Sequence, residues 1–215
     1  MTDKLLGIVR EKYVVHELDT GEFSSLKASG MKFSVSAYRA EGLGHVSVMR
    51  ANGFFGLMRM DTLMIVPTET DLPLYSYDRI YAMGNDTLIV ELYDTLIDEL
   101  DLSMLDAVKE RFASLPERDP GEHWYDSIKL AQSISKKGKK AHARAFDALA
   151  TEHFCAYLAS VAPVVAEKEK KKELSTRYVN GLLSEGGPST DVFKRELGEE
   201  KTARLFGKVL FGTEL

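Results

Sequence analysis

One acidic residue is notable because of the segment in which it lies. Asp78 falls within residues 74–83, where apolar and aromatic residues predict a buried strand. A carboxylate in such a strand is costly unless it is paired, solvated in a cavity or protonated. A semi-apolar pocket raises the pKa of a carboxyl group, which can then donate a proton near neutral pH. Asp78 is therefore a candidate general acid. The alternative is a solvent-facing or edge-strand residue paired with Arg79 or Arg59.

Neighbouring segments supply side chains that could contact a ligand. Arg50 and Arg59 lie in predicted strands, where each could bind an acidic group or form a cross-strand ion pair. Four methionines form a flexible apolar surface, which suits either core packing or a pocket for a flat molecule. These methionines are Met49, Met58, Met60 and Met64.

Most motifs of known chemistry are absent from the sequence. It contains no phosphate-binding loop, no dinucleotide fingerprint and no nucleophile elbow. The single cysteine, Cys155, excludes metal sites built on several thiolates from this chain. The five histidines show no metal-ligand spacing, and His153 on an apolar helix side is interpreted as a core residue.

Composition and charge indicate which broad classes of protein the chain can belong to. Hydrophobic residues make up 44% and charged residues 28% of 215 residues, which is typical of a soluble globular protein. The sequence has no apolar run of membrane-spanning length and no signal-peptide pattern, and a single cysteine fits a reducing compartment, so we expect a cytoplasmic protein. The net charge of −5 makes nucleic acid an unexpected partner.

The negative charge is concentrated in the first 120 residues, whereas the remainder is basic. Two lysine clusters, at 136–140 and 168–172, could dock an acidic partner or form solvated surfaces.

The predicted elements indicate a sheet flanked by helices. Period-two alternation and short turns predict an antiparallel meander of about five strands within residues 31–94. Helical periodicity predicts helices on both sides of it along the chain, mainly in 3–28 and 101–211. We therefore expect one domain over residues 1–215, an α/β fold of the three-layer α/β/α sandwich type with a central antiparallel sheet. The predicted helices are 3–16, 21–28, 101–114, 140–162, 165–184, 189–197 and 199–211.

Several of these segments together resemble a known family. Pro67, the run Asp71-Leu72-Pro73-Leu74-Tyr75 and then Asp78 are similar to the central signature of the ferredoxin-dependent bilin reductases. The later Gly84 turn and the strand 88–92 also match that pattern. The resemblance covers residues 45–212 in patches, and further patches lie around Trp124, Tyr178, Gly186-Gly187 and Val209-Leu210-Phe211.

The resemblance implies a fold and a reaction. The family's fold is an α/β/α sandwich, which agrees with the elements above. An open-chain tetrapyrrole, or bilin, would lie between the sheet and the C-terminal helices, and ferredoxin, an acidic iron–sulfur protein, would supply electrons. No cofactor would stay bound to this chain. Asp78 would donate a proton and Asp61 would be a second donor. The expected pigment contacts are Arg50, Arg59, Tyr75, Tyr77 and Met64.

Two positions depart from the family pattern. Many members have a histidine on the strand before the proline, where this chain has Asp61 and Thr62. An asparagine or aspartate near the C-terminal helices is replaced by Gly186-Gly187-Pro188. Because function depends on the site rather than the fold, three hypotheses stay open. They are a bilin reductase, a non-catalytic tetrapyrrole-binding protein of the same fold, and an interaction protein without a small ligand.

Overall fold

One antiparallel sheet runs through the molecule. A computed structural model describes residues 1–214, except for the side chain of Pro188, and these residues form eight strands. The strands pair in the order β1-β3-β4-β5-β6-β7-β8, and β2 pairs with β3 beside β1. The strands are β1 (Val15–Leu18), β2 (Ser25–Ala28), β3 (Met31–Ala40), β4 (Gly44–Gly53), β5 (Met58–Pro67), β6 (Leu74–Ala82), β7 (Asn85–Tyr93) and β8 (Ile134–Lys139).

The helices fall mainly before the sheet and after β7 in the chain. They are α1 (Thr2–Lys12), α2 (Ser103–Arg111), α3 (Ala143–Ala159), α4 (Lys168–Glu185), α5 (Pro188–Leu197) and α6 (Glu199–Arg204). The last of these continues as a π-helical turn, Leu205–Leu210. Short 3₁₀ turns occur at Gly21–Ser24, Phe54–Gly56, Trp124–Ile128 and Lys140–His142. Within residues 1–214, no helix is both long and apolar enough to cross a membrane.

The sheet has apolar side chains on both faces, and each face packs against a different set of helices. One buried cluster joins alternate residues of β4–β7, such as Tyr75 and Leu92, to α1, α2 and α3. The other joins the intervening residues, such as Met64 and Tyr93, to α4, α5 and the π-helical turn. Because successive residues of a strand point to opposite faces, neighbours in sequence belong to different clusters.

The predicted α/β fold on an antiparallel sheet is confirmed, and the meander at 31–94 corresponds to β3–β7. The predicted helix at 21–28 is wrong, because Gly21–Ser24 is a 3₁₀ turn and Ser25–Ala28 is β2, whose side chains alternate between exposed and buried. The predicted helix at 3–16 ends at Lys12, and Val15–Leu18 is strand β1.

A strand was also missed within the region predicted to be helical. β8 is rich in lysine and contains Gly138, so its alternation is hard to recognise from residue types. Lys136 is nevertheless buried and forms an ion pair with Glu117. The dipeptide Asn52-Gly53 predicts a two-residue hairpin turn. That prediction is wrong as well, because β4 continues through Gly53. A Cβ atom on Gly53 would lie 2.5 Å from Cγ of Met31 on the paired strand, so close packing requires glycine there.

A buried ion pair ties α4 to the loops at one end of the sheet. The Lys171 ammonium group lies 2.7 Å from a carboxylate oxygen of Asp71, and both side chains are almost fully buried. Lys171 also donates to the carbonyl oxygens of Leu72 and Thr95, at 2.7 and 2.6 Å. Asp71 accepts the backbone N–H of Ile97 at 3.0 Å. Lys171 is therefore unavailable for docking a partner, although it belongs to a lysine-rich segment.

We predict that Asp71→Ala destabilises the protein by about 3–5 kcal/mol, because it leaves the buried Lys171 charge without its counter-ion. The free energy of unfolding in urea measures this loss. Lys170→Met is the matched control, since Lys170 is exposed and pairs with the exposed Glu167 one turn away. That substitution should change stability by less than about 0.5 kcal/mol. A similar effect of both substitutions would contradict the proposed structural role of the buried pair.

Candidate active site

A cavity of about 460 Å³ lies between the sheet and the C-terminal helices. Its volume falls within the range typical of small-molecule sites. Strands β3–β7 supply one wall, and α4, α5 and the π-helical turn supply the opposite wall. The lining is mostly apolar and includes the methionines Met31, Met49, Met58, Met60 and Met64. This arrangement suits a flat, largely apolar ligand.

Hydrogen bonds from the sheet hold the helical wall in place. The π-helical turn leaves carbonyl groups that need partners outside the helix. His45 Nε2 lies 2.8 Å from the carbonyl oxygen of Val209, and Ser47 donates its hydroxyl to that of Leu210 at 2.7 Å. Both β4 side chains are buried. They fix the turn whose residues Leu210 and Phe206 line the cavity.

Four polar side chains of the sheet face the cavity as a group. Thr62 of β5 is paired with Asp78 of β6, and Ser76 of β6 is paired with Glu91 of β7. All four line the cavity, because paired residues on adjacent strands point to the same face. The sheet therefore places two carboxyl groups, on neighbouring strands, against an otherwise apolar chamber.

Asp78 has the environment of a group that can exchange protons near neutral pH. Burial raises its pKa to about 6, and the nearby charge of Glu91 acts in the same direction. The Thr62 hydroxyl opposes this rise by donating a hydrogen bond to the carboxylate. The Ser76 hydroxyl lies 3.5 Å from the other carboxylate oxygen. A carboxyl group with this pKa can act as an acid or a base under physiological conditions.

Three tyrosines surround the second carboxyl group. Tyr93 donates its hydroxyl to Glu91 at 2.6 Å, and its ring packs against Tyr178 with centroids 4.1 Å apart. Tyr125 contacts the Tyr93 ring edge-on at 5.5 Å. Burial raises the pKa of all three phenols, so they remain neutral hydrogen-bond donors. Glu91 thus has a fixed orientation toward the cavity.

The loop after α2 brings positive and titratable side chains to the same chamber. Arg118 and His123 line the cavity, and His123 stacks on Tyr125 with ring centroids 4.8 Å apart. Arg118 donates to the Ser135 hydroxyl at 3.3 Å. Sequence reasoning missed both residues, because only the folded loop brings them beside strands that lie about 30 or more positions away in sequence. For Glu91 a signal existed, since it interrupts an apolar strand as Asp78 does.

The structure brings together only some of the predicted site residues. Asp78 and Met64 line the cavity, together with Met49, Met58 and Met60. Five others project from the opposite face of the sheet, because they occupy the alternate positions of β4, β5 and β6. These five are Arg50, Arg59, Asp61, Tyr75 and Tyr77. We therefore leave them out of the proposed site.

Most of these five side chains make contacts on that opposite face of the sheet. Arg50 donates to the Thr2 hydroxyl of α1 at 3.0 Å, and Asp61 lies 3.8 Å from the amino group of Met1. Tyr75 packs among α3 residues with its hydroxyl 3.3 Å from His153 Nδ1.

Arg59 and Arg79 also make side-chain contacts on that face. Arg59 stacks over the Tyr81 ring at 4.9 Å. Arg79 pairs with Asp86, with 2.6 Å between nitrogen and oxygen, so Asp78 is not its partner.

The comparisons with known proteins add information about the fold. No protein-family model and no curated protein sequence matches the chain. A solved structure does: the crystal structure of phytochromobilin synthase from tomato in complex with biliverdin matches with a TM-score of 0.76. The match covers 99% of this chain and 83% of the tomato chain at 18% sequence identity. The chain shares the fold of that enzyme. Phytochromobilin synthase is a ferredoxin-dependent bilin reductase, so the resemblance seen in the sequence is confirmed at the level of the fold.

The raised pKa of Asp78 predicts a specific dependence of stability on pH. Between about pH 4 and pH 6 the folded state binds more protons at this carboxyl than the unfolded state does. The free energy of unfolding should therefore fall as pH rises through this window, and the loss should persist above it. Asp78→Asn removes the ionisation and should be more stable than the wild type at pH 8 by about 3 kcal/mol.

Urea denaturation at pH 4, 6 and 8 measures this difference, which should disappear at pH 4. Asp61→Asn, on the other face of the sheet, is the control for the change of residue type; because it keeps Asp78, the loss of stability between pH 4 and pH 8 should remain in this variant. Parallel profiles for the wild type and Asp78→Asn would show that Asp78 ionises as it does in an unfolded chain.

Proposed function

We propose that this protein binds an open-chain tetrapyrrole in the cavity and reduces it, with Asp78 as the proton donor. The observation that supports this most strongly is a carboxyl group with a pKa of about 6 on the wall of an apolar cavity. Support also comes from the fold, which the chain shares with an enzyme whose structure contains biliverdin.

The lining of the cavity matches the shape and polarity of a bilin. Such a molecule is flat and conjugated, so methionine and aromatic side chains can pack on both faces of its rings. Its pyrrole N–H groups need acceptors, and the carboxyl groups of Asp78 and Glu91 are positioned on the sheet wall to accept them. Protonation of the pigment would give a cation that the same two groups stabilise and that takes up an electron more readily.

The proposed reaction balances in electrons and protons. Reduction of one double bond takes up two electrons and two protons. Reduced ferredoxin supplies the electrons one at a time and is itself oxidised. Asp78 gives the first proton to the pigment, regains a proton from water and gives the second. No cofactor held by this chain takes part in this scheme.

An acidic electron donor would find basic residues on the helical half of the chain. Lys137, Lys139, Lys140, Lys168 and Lys170 are exposed. Lys136 and Lys171, from the same clusters, are buried and paired with Glu117 and Asp71, so they take no part in docking. We also propose that the chain works as one three-layer α/β/α domain, an interpretation supported by the two apolar clusters. The single cysteine suits a reducing compartment such as the cytoplasm.

A second candidate function is binding of a bilin without reduction. Two features favour it, both at positions where related enzymes carry polar side chains. Asp61 and Thr62 occupy the place expected for a histidine, and glycines occupy positions 186 and 187. In this case Asp78 would hold the pigment through a hydrogen bond, and electrons from a donor would have no effect.

Biliverdin tests both candidates. We expect its visible spectrum to shift on mixing with the protein, and reduced ferredoxin under anaerobic conditions to bleach or shift the bound pigment. Asp78→Asn should still bind biliverdin, because an amide fills the same space, but its turnover should fall by about 10²-fold or more. Asp61→Asn, on the other face, should keep both binding and turnover.

Each outcome has a distinct meaning. Binding without any turnover in the wild type would favour the non-catalytic candidate. Full turnover in Asp78→Asn would contradict the role of Asp78 as proton donor. The absence of any spectral change on mixing would contradict both candidates.

A further inference from the structure

Helix α5 begins at the mouth of the cavity without a side chain that caps it. The residue before its first turn is Gly187, and the first position, Pro188, has no backbone N–H. The first backbone hydrogen bond of the helix runs from Asp191 to Gly187, at 3.0 Å. Within residues 1–214, the backbone N–H groups of Ser189 and Thr190 have no hydrogen-bond acceptor. Gly187, Ser189 and Thr190 all line the cavity.

A buried hydroxyl group at the same helix end also lacks a partner. Thr190 is 1% exposed, and its Oγ1 atom makes no hydrogen bond with any described residue. This atom lies close to the cap, since a Cβ atom built on Gly187 would be 3.6 Å from it. An unpaired buried hydroxyl is unfavourable in a folded protein unless a ligand or water completes it. The hydroxyl and the two N–H groups are therefore three unused donors at one point of the cavity wall.

The backbone at this helix end favours a negatively charged partner. The N-terminus of a helix carries partial positive charge and binds anionic oxygens through its free N–H groups. Arg195, further along α5, donates to the Ser29 hydroxyl at 2.8 Å, and Ser29 lines the same mouth. Arg195 also pairs with Glu196 at 3.5 Å, so its charge is balanced and the helix end is the main attraction for an anion. The carboxylate of Asp191 is exposed and lies beside Gly186.

We propose that the N-terminus of α5 is a subsite for a carboxylate group of the molecule that fills the cavity. This inference rests on the proposed function, because it assigns one part of the bilin. Biliverdin carries two carboxylates on side chains of its central rings, whereas the rings themselves are apolar and fit the methionine-lined chamber. One carboxylate accepts hydrogen bonds from the Thr190 hydroxyl and from the N–H groups of Ser189 and Thr190. Glycines at 186 and 187 leave this helix end open.

A comparison of biliverdin with its dimethyl ester tests the subsite. Thr190→Val keeps the shape of the side chain and removes the hydroxyl. We expect this variant to bind biliverdin about tenfold more weakly than the wild type and to bind the ester with unchanged affinity. Thr190→Ser restores the hydroxyl and should bind biliverdin as the wild type does. Thr202→Val changes a buried threonine of α6 that does not line the cavity, so it should leave both affinities unchanged.

Stability of the ligand-free protein separates a binding effect from misfolding. Because Thr190→Val removes an unpaired buried hydroxyl, its melting temperature without ligand should equal or exceed that of the wild type. Competition with inorganic phosphate tests whether the subsite binds an anionic group. If a carboxylate of the ligand occupies the subsite, phosphate should weaken biliverdin binding to the wild type and have less effect on Thr190→Val.

Several results would overturn the inference. Equal weakening of biliverdin and ester binding by Thr190→Val would mean that the subsite contacts a neutral group. Unchanged binding of both compounds would mean that the subsite is not used. If the wild type binds neither compound, the proposed function fails. In that event, phosphate that raises the melting temperature of the wild type but not of Thr190→Val would still support an anion site, and equal shifts would overturn it.

Discussion

The pairing register of β5, β6 and β7 decides which side chains can act on a ligand. Thr62 lies opposite Asp78, and Ser76 lies opposite Glu91, so the polar groups meet on one face. A shift of one residue in β6 would turn Tyr77 to the cavity and bury the Asp78 carboxyl among apolar residues against α3. The core on the other face disfavours that register, because Tyr75 and Tyr77 are fully buried in it. The packing of one face of the sheet therefore determines which side chains of the other face point into the cavity.

The C-terminal helices are held at a distance that leaves room for a ligand. The buried Lys171–Asp71 pair anchors α4 to the sheet end, and His45 and Ser47 anchor the π-helical turn. These contacts lie outside the chamber itself, so they need no ligand in order to form. The cavity lining includes flexible methionines and, at Thr190, a polar atom that has no partner among the described residues. A preformed cavity with unused donors is typical of a binding site.

The sequence predicted the parts of this site that local patterns determine. Asp78 was recognisable because a carboxyl in a buried strand needs a special environment, and alternation located the methionine surface. Asp61, Arg50, Tyr75 and Tyr77 were expected at the site from the resemblance to the family, although each occupies a position that faces the other helices. Arg118, His123 and Thr190 were beyond sequence reasoning, because loops and helix ends bring them to the cavity through long-range packing. Likewise, β2 and β8 were missed because they are short and polar.

The central claim is that the cavity keeps the Asp78 carboxyl partly protonated near neutral pH. NMR of the protein with ¹³C-labelled aspartate side chains, titrated from pH 4 to pH 8, measures this directly. We expect one carboxyl resonance with a midpoint near pH 6, absent from Asp78→Asn and shifted when biliverdin is added. Titration of the Asp78 carboxyl near pH 4, the range usual for exposed aspartates, would contradict it.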